Sequence, residues 1–252
     1  DVTQGDGVTV AVIDTGVDVL HPDLASNISI NSGEDGLDAN GNAKRSNNID
    51  DDGDGYIDNW MGWNFVDNNN DVRDGNGHGT HSAGIIAAQI NNAEGLAGIA
   101  PHARILAIKA LDNSGFGTYL QVAQAAIYAV DHGAKVINLG FGGTANSAAL
   151  LAATNYAYAH NVIVVAAGGN TASQTLIYPA ANQNVIGVSA VDENLNVATF
   201  SSSSVAIQIS APGVGIYSTA LGGNYSTMSG TSMSAAQVSG VAALLASQPQ
   251  FD

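Results

Sequence analysis

Val8-Thr9-Val10-Ala11-Val12-Ile13-Asp14-Thr15-Gly16-Val17-Asp18 is a mostly apolar, β-branched run that ends in a carboxylate and a glycine turn. A run that stays apolar instead of alternating suits a strand covered on both faces, as in a parallel sheet. Outward from 8–13, similar runs recur at 104–110, 135–139, 162–167 and 185–190. Helical patterns fall at 80–89, 118–132, 147–160 and 232–246, and in the second of these Val122, Ala123, Ala126, Ile127 and Val130 recur at helical spacing. Short strands alternating with helices predict an α/β fold: a three-layer, doubly wound, mostly parallel sheet with helices on both faces. The functional crevice of such sheets lies at the carboxyl ends of the strands. Asp14 stands directly after the first strand, and Asn170 just past the fourth.

The 252 residues can form a single domain with a full core. No apolar stretch approaches the ~20 residues of a membrane span. Six Lys and Arg against 22 Asp and Glu give a formal charge of −16, which argues against nucleic acid or an anionic membrane as partner. The absence of cysteine removes disulfides, thiolate metal sites and cysteine nucleophiles together. The first residue, Asp1, follows no initiator Met, apolar signal or basic leader, so the chain reads as a mature or trimmed form. Segment 31–76 breaks the strand–helix rhythm with Asp, Asn, Gly and the turn pairs Asn40-Gly41 and Asp54-Gly55, and reads as a long insertion. It carries half of the acidic residues. Clustered like charges call for divalent counter-ions, unless the segment is simply a solvated acidic loop.

Four short motifs could carry chemistry. Gly230-Thr231-Ser232-Met233-Ser234 precedes a helical pattern, and a serine in a first helical turn sits in the positive field of the helix terminus. Taken alone it reads as a helix cap. Asn76-Gly77-His78-Gly79-Thr80-His81 offers an imidazole flanked by glycines, suited to taking a hydroxyl proton near neutrality. A core histidine is the plain alternative, and a zinc pair is disfavoured because no Glu stands between His78 and His81. Asp14 can hold an imidazole in one tautomer, although a turn Asp looks the same in sequence. Asn170, after Ala166-Ala167-Gly168-Gly169, can aim an uncharged N–H at a developing oxyanion, or merely make a turn. None of the four decides alone, but their coincidence in the chain order Asp, His, Asn, Ser shifts the balance toward chemistry.

With these motifs the chain resembles the subtilisin family of serine proteases. The resemblance rests on Asp14-Thr15-Gly16-Val17-Asp18, His78-Gly79-Thr80-His81 and Gly230-Thr231-Ser232-Met233. It extends through His21-Pro22-Asp23-Leu24, Gly98-Ile99-Ala100-Pro101, Tyr178-Pro179-Ala180 and Ala211-Pro212-Gly213. It implies a secreted endopeptidase with broad specificity and an apolar preference before the cut. Asp14 orients His78, His78 serves as base and then acid, Ser232 attacks, and Asn170 with the Ser232 N–H holds the oxyanion. Peptide or protein substrates are implied, with a monomeric enzyme and an inhibitory propeptide removed during maturation. An extended peptide would lie between Gly115-Phe116-Gly117 and Gly140-Phe141-Gly142. Gly140–Gly142 and Ala167, Gly168 and Gly169 would wall the pocket before the cut, and Tyr119 and Val122 would line a further apolar subsite.

Two or more Ca2+ sites and no organic cofactor are expected. Asp50, Asp52, Asp54, the Tyr56 carbonyl and Asp58 repeat oxygen ligands at alternate positions around a glycine turn, like the front of an EF-hand loop, but position 12 is Met61. The resemblance implies a second site from the carbonyls of Ile90, Glu94 and Leu96 with the Asn92 and Asp23 side chains. An N-terminal arm usually adds a ligand there, and Gln4 is the candidate in this chain.

The chain departs from the family at Gly140, where serine is usual, and at Ala236-Gln237, where Pro-His is usual. It is also expected to be short at both ends. These departures imply an alternative, a weakened acyl transferase or pseudoenzyme. A calcium-stabilised binding module is the alternative from another class, and it needs none of the four motifs.

Overall fold

A computed structural model of the chain describes residues 3–248. Its main sheet has seven strands: β1 (Thr9–Asp14), β2 (Gly62–Asn64), β3 (Arg104–Lys109), β4 (Val136–Leu139), β5 (Ile163–Ala167), β6 (Val185–Val191) and β7 (Ile207–Pro212). They run in the order β2-β3-β1-β4-β5-β6-β7, and every neighbouring pair is parallel. An antiparallel hairpin, β8 (Ile216–Ala220) and β9 (Asn224–Met228), stands apart from this sheet.

The apolar strand runs are explained by two cores. Val10 and Val12 of β1 face a cluster that includes Ile86 of α1 (His78–Ala87) and Met233 and Ala235 of α4 (Thr231–Ala246). Ala11 and Ile13 face the opposite cluster, which includes Ala126 and Tyr128 of α2 (Tyr119–Asp131) and Leu150 and Ala153 of α3 (Ala148–Ala159). Both sides of the strand are therefore buried, each full burial of a Val or Ile contributing about 1.5–3 kcal/mol. Thr118 starts α2 with a reciprocal capping box to Gln121, and Ser147 caps α3.

From β1 the chain first builds β2 and β3 on one side, then returns to place β4 on the other. The crevice therefore opens at the carboxyl ends of β1 and β4, next to Asp14 and Gly140. The predicted strands and helices match within about two residues at each end. The segment read as an insertion is not wholly one, because β2 within it forms an edge of the main sheet. β7 and the β8–β9 hairpin carry no strong apolar run: β7 is largely exposed as the other edge, and its Ile207-Gln208-Ile209-Ser210 alternates with polar residues.

Candidate active site

Asp14 ends β1 and is completely buried. Its Oδ1 accepts the Thr15 N–H at 2.7 Å, and both carboxylate oxygens lie against His78 Nδ1, at 2.8 and 2.9 Å. Nδ1 must carry the proton in such a pair, which leaves Nε2 as the basic nitrogen. His78 is the first residue of α1, and the glycine after it sets the distance. A β-carbon on Gly79 would stand 2.0 Å from the Gly16 carbonyl oxygen and 3.0 Å from Asp14 Cβ. Only glycine lets the helix approach the turn after β1 this closely. The Asp14 charge beside His78 pushes the imidazole pKa up; burial opposes this, and the Asp14 hydrogen bond and the Asp74 charge add to the rise.

Ser232 is the second residue of α4 and is buried. Gly140, just past β4, marks where the three side chains meet. A β-carbon there would lie 3.1 Å from Asp14 Oδ2, 3.1 Å from His78 Cε1 and 3.5 Å from Ser232 Cβ. Asn170 follows β5, and a β-carbon on Gly230 would lie 3.4 Å from Asn170 Nδ2 and 3.8 Å from the Ser232 nitrogen, so the two N–H donors flank one point. The structure thus brings together all four residues singled out from sequence. A hydroxyl, a base, an orienting carboxylate and paired donors so arranged can carry acyl transfer by nucleophilic attack.

The two peptide-flanking segments also converge. Gly115, Phe116 and Gly117 share with Phe141 and Gly142 a cavity of about 250 Å³, which Tyr119 and Val122 also line. Ile177, which sequence reading passed over, packs between the two proposed pocket walls. Its Cγ2 lies 2.4 Å from the place of a β-carbon on Gly142, and its Cγ1 lies 2.9 Å from that on Gly169. No motif flags Ile177, because an isoleucine before Tyr178-Pro179 looks like any core residue.

The acidic loop brings two of the expected ligands, Asp50 and Asp52, together with a third carboxylate, Glu34, that was not among them. Carboxylate oxygens of Glu34, Asp50 and Asp52 lie within 4.8 Å of one another and form a group that could hold a hard cation. Glu34 is fully buried; its Oε1 accepts the Asp51 N–H at 2.6 Å, while its Oε2 has no hydrogen-bond partner. Burial pushes the Glu34 carboxyl pKa up. Gly33 permits the approach, since a β-carbon there would meet Asp52 Oδ2 at 2.3 Å. Asp54 turns instead to His132 Nε2 at 2.7 Å and Asn59 Nδ2 at 2.8 Å, and Asp58 accepts the Asn48 N–H at 3.2 Å. The Tyr56 ring joins an aromatic group with Trp63, Phe65 and Tyr128. Glu34 was legible only as one more acid of the segment, because it stands well before the alternating run at 50–58 and outside its spacing.

At the other loop, fully buried Asp23 accepts Asn92 Nδ2 at 2.6 Å, the Leu96 N–H at 3.2 Å and the Tyr225 hydroxyl at 3.3 Å. Left-handed Asn91 and Ala93 curl the segment from Ile90 to Leu96 around it, and the Glu94 N–H donates to Asn92 Oδ1 at 3.1 Å. Burial and the Asp23 charge push the Tyr225 hydroxyl up to about 12. Tyr225 is a further neighbour of this loop that the sequence did not announce.

Sheet, crevice and side-chain set together describe a serine hydrolase of the α/β type. The chain belongs to the subtilase family, which it matches over residues 5–251. It is 43% identical over 248 residues to thermitase from Thermoactinomyces vulgaris, covering 98% of this chain and 78% of that protein. It is 47% identical over 249 residues to a thermophilic serine proteinase from Bacillus sp. strain AK1, covering 98% of this chain and 54% of that one. The crystal structure of a cold-adapted subtilisin-like serine proteinase aligns with a TM-score of 0.77 at 30% identity, over 97% of this chain and 77% of that chain. By this membership the chain is a subtilisin-like serine endopeptidase.

Proposed function

We propose that the chain cleaves peptide bonds through an acyl-enzyme formed on Ser232, with Asp14, His78 and Asn170 as its partners. His78 Nε2 removes the Ser232 proton as Oγ attacks the scissile carbonyl, then returns that proton to the leaving amine. Asp14 fixes the imidazole tautomer and stabilises its charged form. The Asn170 amide and the Ser232 N–H face the oxyanion. Water then repeats the sequence to release the acid. The observation that carries this reading is the convergence of Asp14, His78 and Ser232 at Gly140.

The substrate backbone is read as an added strand between the segments around Phe116 and Phe141. The residue before the cut enters between Gly140–Gly142 and Ala167–Gly169, and Ile177 supports an apolar preference there, since it brings hydrocarbon to both walls. Calcium is assigned to Glu34, Asp50 and Asp52, and a second ion to Asp23, Asn92 and the carbonyls of Ile90, Glu94 and Leu96. The buried, unpartnered Glu34 oxygen fits a cation ligand. When bound, these ions neutralise clustered carboxylates and brace loops, and they take no part in the chemistry. Among the described residues no helix is long and apolar enough to cross a membrane. Secretion as a monomer, after removal of an inhibitory propeptide, completes the reading by family likeness.

A second reading, acyl transfer to amines, is favoured by Ala236. It is buried in the first turns of an unbroken α4, where the family's proline would displace the preceding turn. Hydrolysis and aminolysis ratios of this chain and its Ala236→Pro variant decide between the two; equal ratios remove the second. The main test is labelling by a fluorophosphonate with turnover of a peptide substrate. Both are expected in the native chain and absent in Ser232→Ala, and a native chain that does neither is not this enzyme.

A further inference from the structure

Asp74 lies outside the catalytic group, yet it accepts hydrogen bonds both from the residue after Asp14 and from the backbone on either side of His78. Its Oδ1 accepts the Thr15 hydroxyl at 2.9 Å and the N–H groups of Asn76 at 2.8 Å and Gly77 at 3.0 Å. Its Oδ2 accepts the Thr80 N–H at 3.0 Å and the Thr80 hydroxyl at 2.7 Å. One carboxylate therefore ties the turn after β1 to the first turn of α1. The two hydroxyls extend the clamp, since Thr15 Oγ1 accepts the Gly79 N–H at 3.2 Å and Thr80 Oγ1 accepts the Asp18 N–H at 2.9 Å.

This arrangement replaces an ordinary cap. The residue before α1 is Gly77, in a left-handed conformation at φ 101°, and it has no side chain to satisfy the helix's first N–H groups. The His78 N–H goes to Asn76 Oδ1 at 3.3 Å, that of Gly79 to Thr15, and that of Thr80 to Asp74. Burial alone would push the Asp74 carboxyl up, but the N–H donors of Gly77 and Asn76 and the two from Thr80 outweigh it and hold it below the usual range. Asp74 is therefore ionised at neutral pH and sets a second negative charge near His78.

We propose that Asp74 is a positioning residue for the catalytic pair: through Thr15 and Thr80 it locks His78 onto Asp14, and its charge stabilises the protonated imidazole. This inference rests on the reading of Asp14, His78 and Ser232 as the catalytic group. Besides Asp14 and Asp74, the titratable groups around the pair are Asp18, past the end of β1 with its carboxylate on the Gly222 N–H, His81 on α1, whose pKa burial pushes down, and Lys109 of β3. Lys109 Nζ donates to the Thr15 carbonyl oxygen and feels Asp74, Asp67, Asp112 and Asp71. Removing the Asp74 charge would leave Lys109 less balanced, so both changes act on His78 in the same direction.

The test compares Asp74→Asn with Thr15→Val, using circular dichroism and melting to establish folding. Asp74→Asn is expected to lower kcat by ~10-fold to ~100-fold with little change in KM, the scale of a slightly misplaced catalytic group. The acid limb of its kcat/KM profile should move to lower pH, because neutral His78 then persists further into acid. Thr15→Val cuts one arm of the clamp but keeps the charge, so kcat should fall while the acid limb stays in place. A folded Asp74→Asn that melts lower but keeps kcat and the acid limb would reduce Asp74 to a helix cap and overturn the proposal. Should Asp74→Asn fail to fold, an unchanged kcat in Thr15→Val overturns it. Titration of the His78 ring by NMR follows the Asp74 effect even without turnover, whereas absence of labelling and hydrolysis in the native chain sinks the underlying catalytic reading instead.

Discussion

Thr231 donates twice to Asn170: its N–H and its hydroxyl each lie 2.9 Å from Oδ1. An amide rotated the other way would set its NH2 against two donors, so this pairing fixes which end of Asn170 turns toward Ser232. The hydroxyl also accepts the Gly169 N–H at 3.1 Å, which ties the end of β5 to the start of α4. Asn170 Nδ2 is thus aimed before substrate arrives.

Replacing that donor should raise the barrier without loosening the ground state. Asn170→Leu keeps the volume and is expected to lower kcat by about 10²–10³ with KM little changed; subtilisin itself is the protein on which that scale was set. Thr231→Val should give a smaller loss of the same kind, since the amide remains but loses the hydroxyl donor and is held by the backbone N–H of that residue alone. Steady-state kinetics on a peptide substrate check both, and an Asn170→Leu enzyme with native kcat would remove Asn170 from the oxyanion site.

The acid limb of activity follows from His78. Asp14, then Asp74, raise its pKa against the opposing effect of burial, and catalysis needs the neutral ring. The acid limb of kcat/KM should therefore lie above the ordinary imidazole value of about 6.5. Asp14→Asn removes the main cause and should shift the limb downward, at a large cost in kcat because the tautomer is no longer held. A limb at or below the ordinary value in the native chain would contradict the Asp14–His78 geometry.

Gly79 is where packing and chemistry meet. Gly79→Ala would place a methyl group 2.0 Å from the Gly16 carbonyl oxygen, a clash with backbone that no rotamer change relieves. The start of α1 must then withdraw from β1, taking His78 away from Asp14. Activity should fall at least ~100-fold, with a lower melting temperature. Retained activity together with native stability would mean that the close approach is not required.

The sheet was legible because β1, β4 and β5 are buried on both faces, which strips their sequences of alternation. The four catalytic candidates were legible because each sits at or shortly past the end of a strand or at the start of a helix, where glycines and a polar residue interrupt apolar runs. Asp74, Ile177 and Glu34 were not. Each acts through contacts with residues remote or unremarkable in sequence, and an Asp among many Asp residues carries no local mark. β2 was hidden for a related reason: its three residues, Gly62, Trp63 and Asn64, follow a long acidic loop and give too short a run to show a period.

Glu34 gives the clearest test of the metal reading. Its carboxyl is buried, one oxygen lacks a partner, and among the described residues neither Arg–Asp salt bridge involves Glu34, Asp50 or Asp52. Such a group is unfavourable alone and favourable around a divalent ion. Calcium should raise the melting temperature, by the equivalent of about 4 kcal/mol when free ion exceeds Kd a thousandfold, and EDTA should reverse it. Glu34→Gln should lose one ion in a calorimetric titration and show a smaller calcium-dependent gain. In EDTA the same variant should melt no lower than the native chain, because it no longer buries an unpaired carboxyl. Asp23→Asn should remove a different ion, so the two losses add. A Glu34→Gln protein with the native number of bound ions would leave the 31–58 loop as an acidic surface segment held by its own N–H donors.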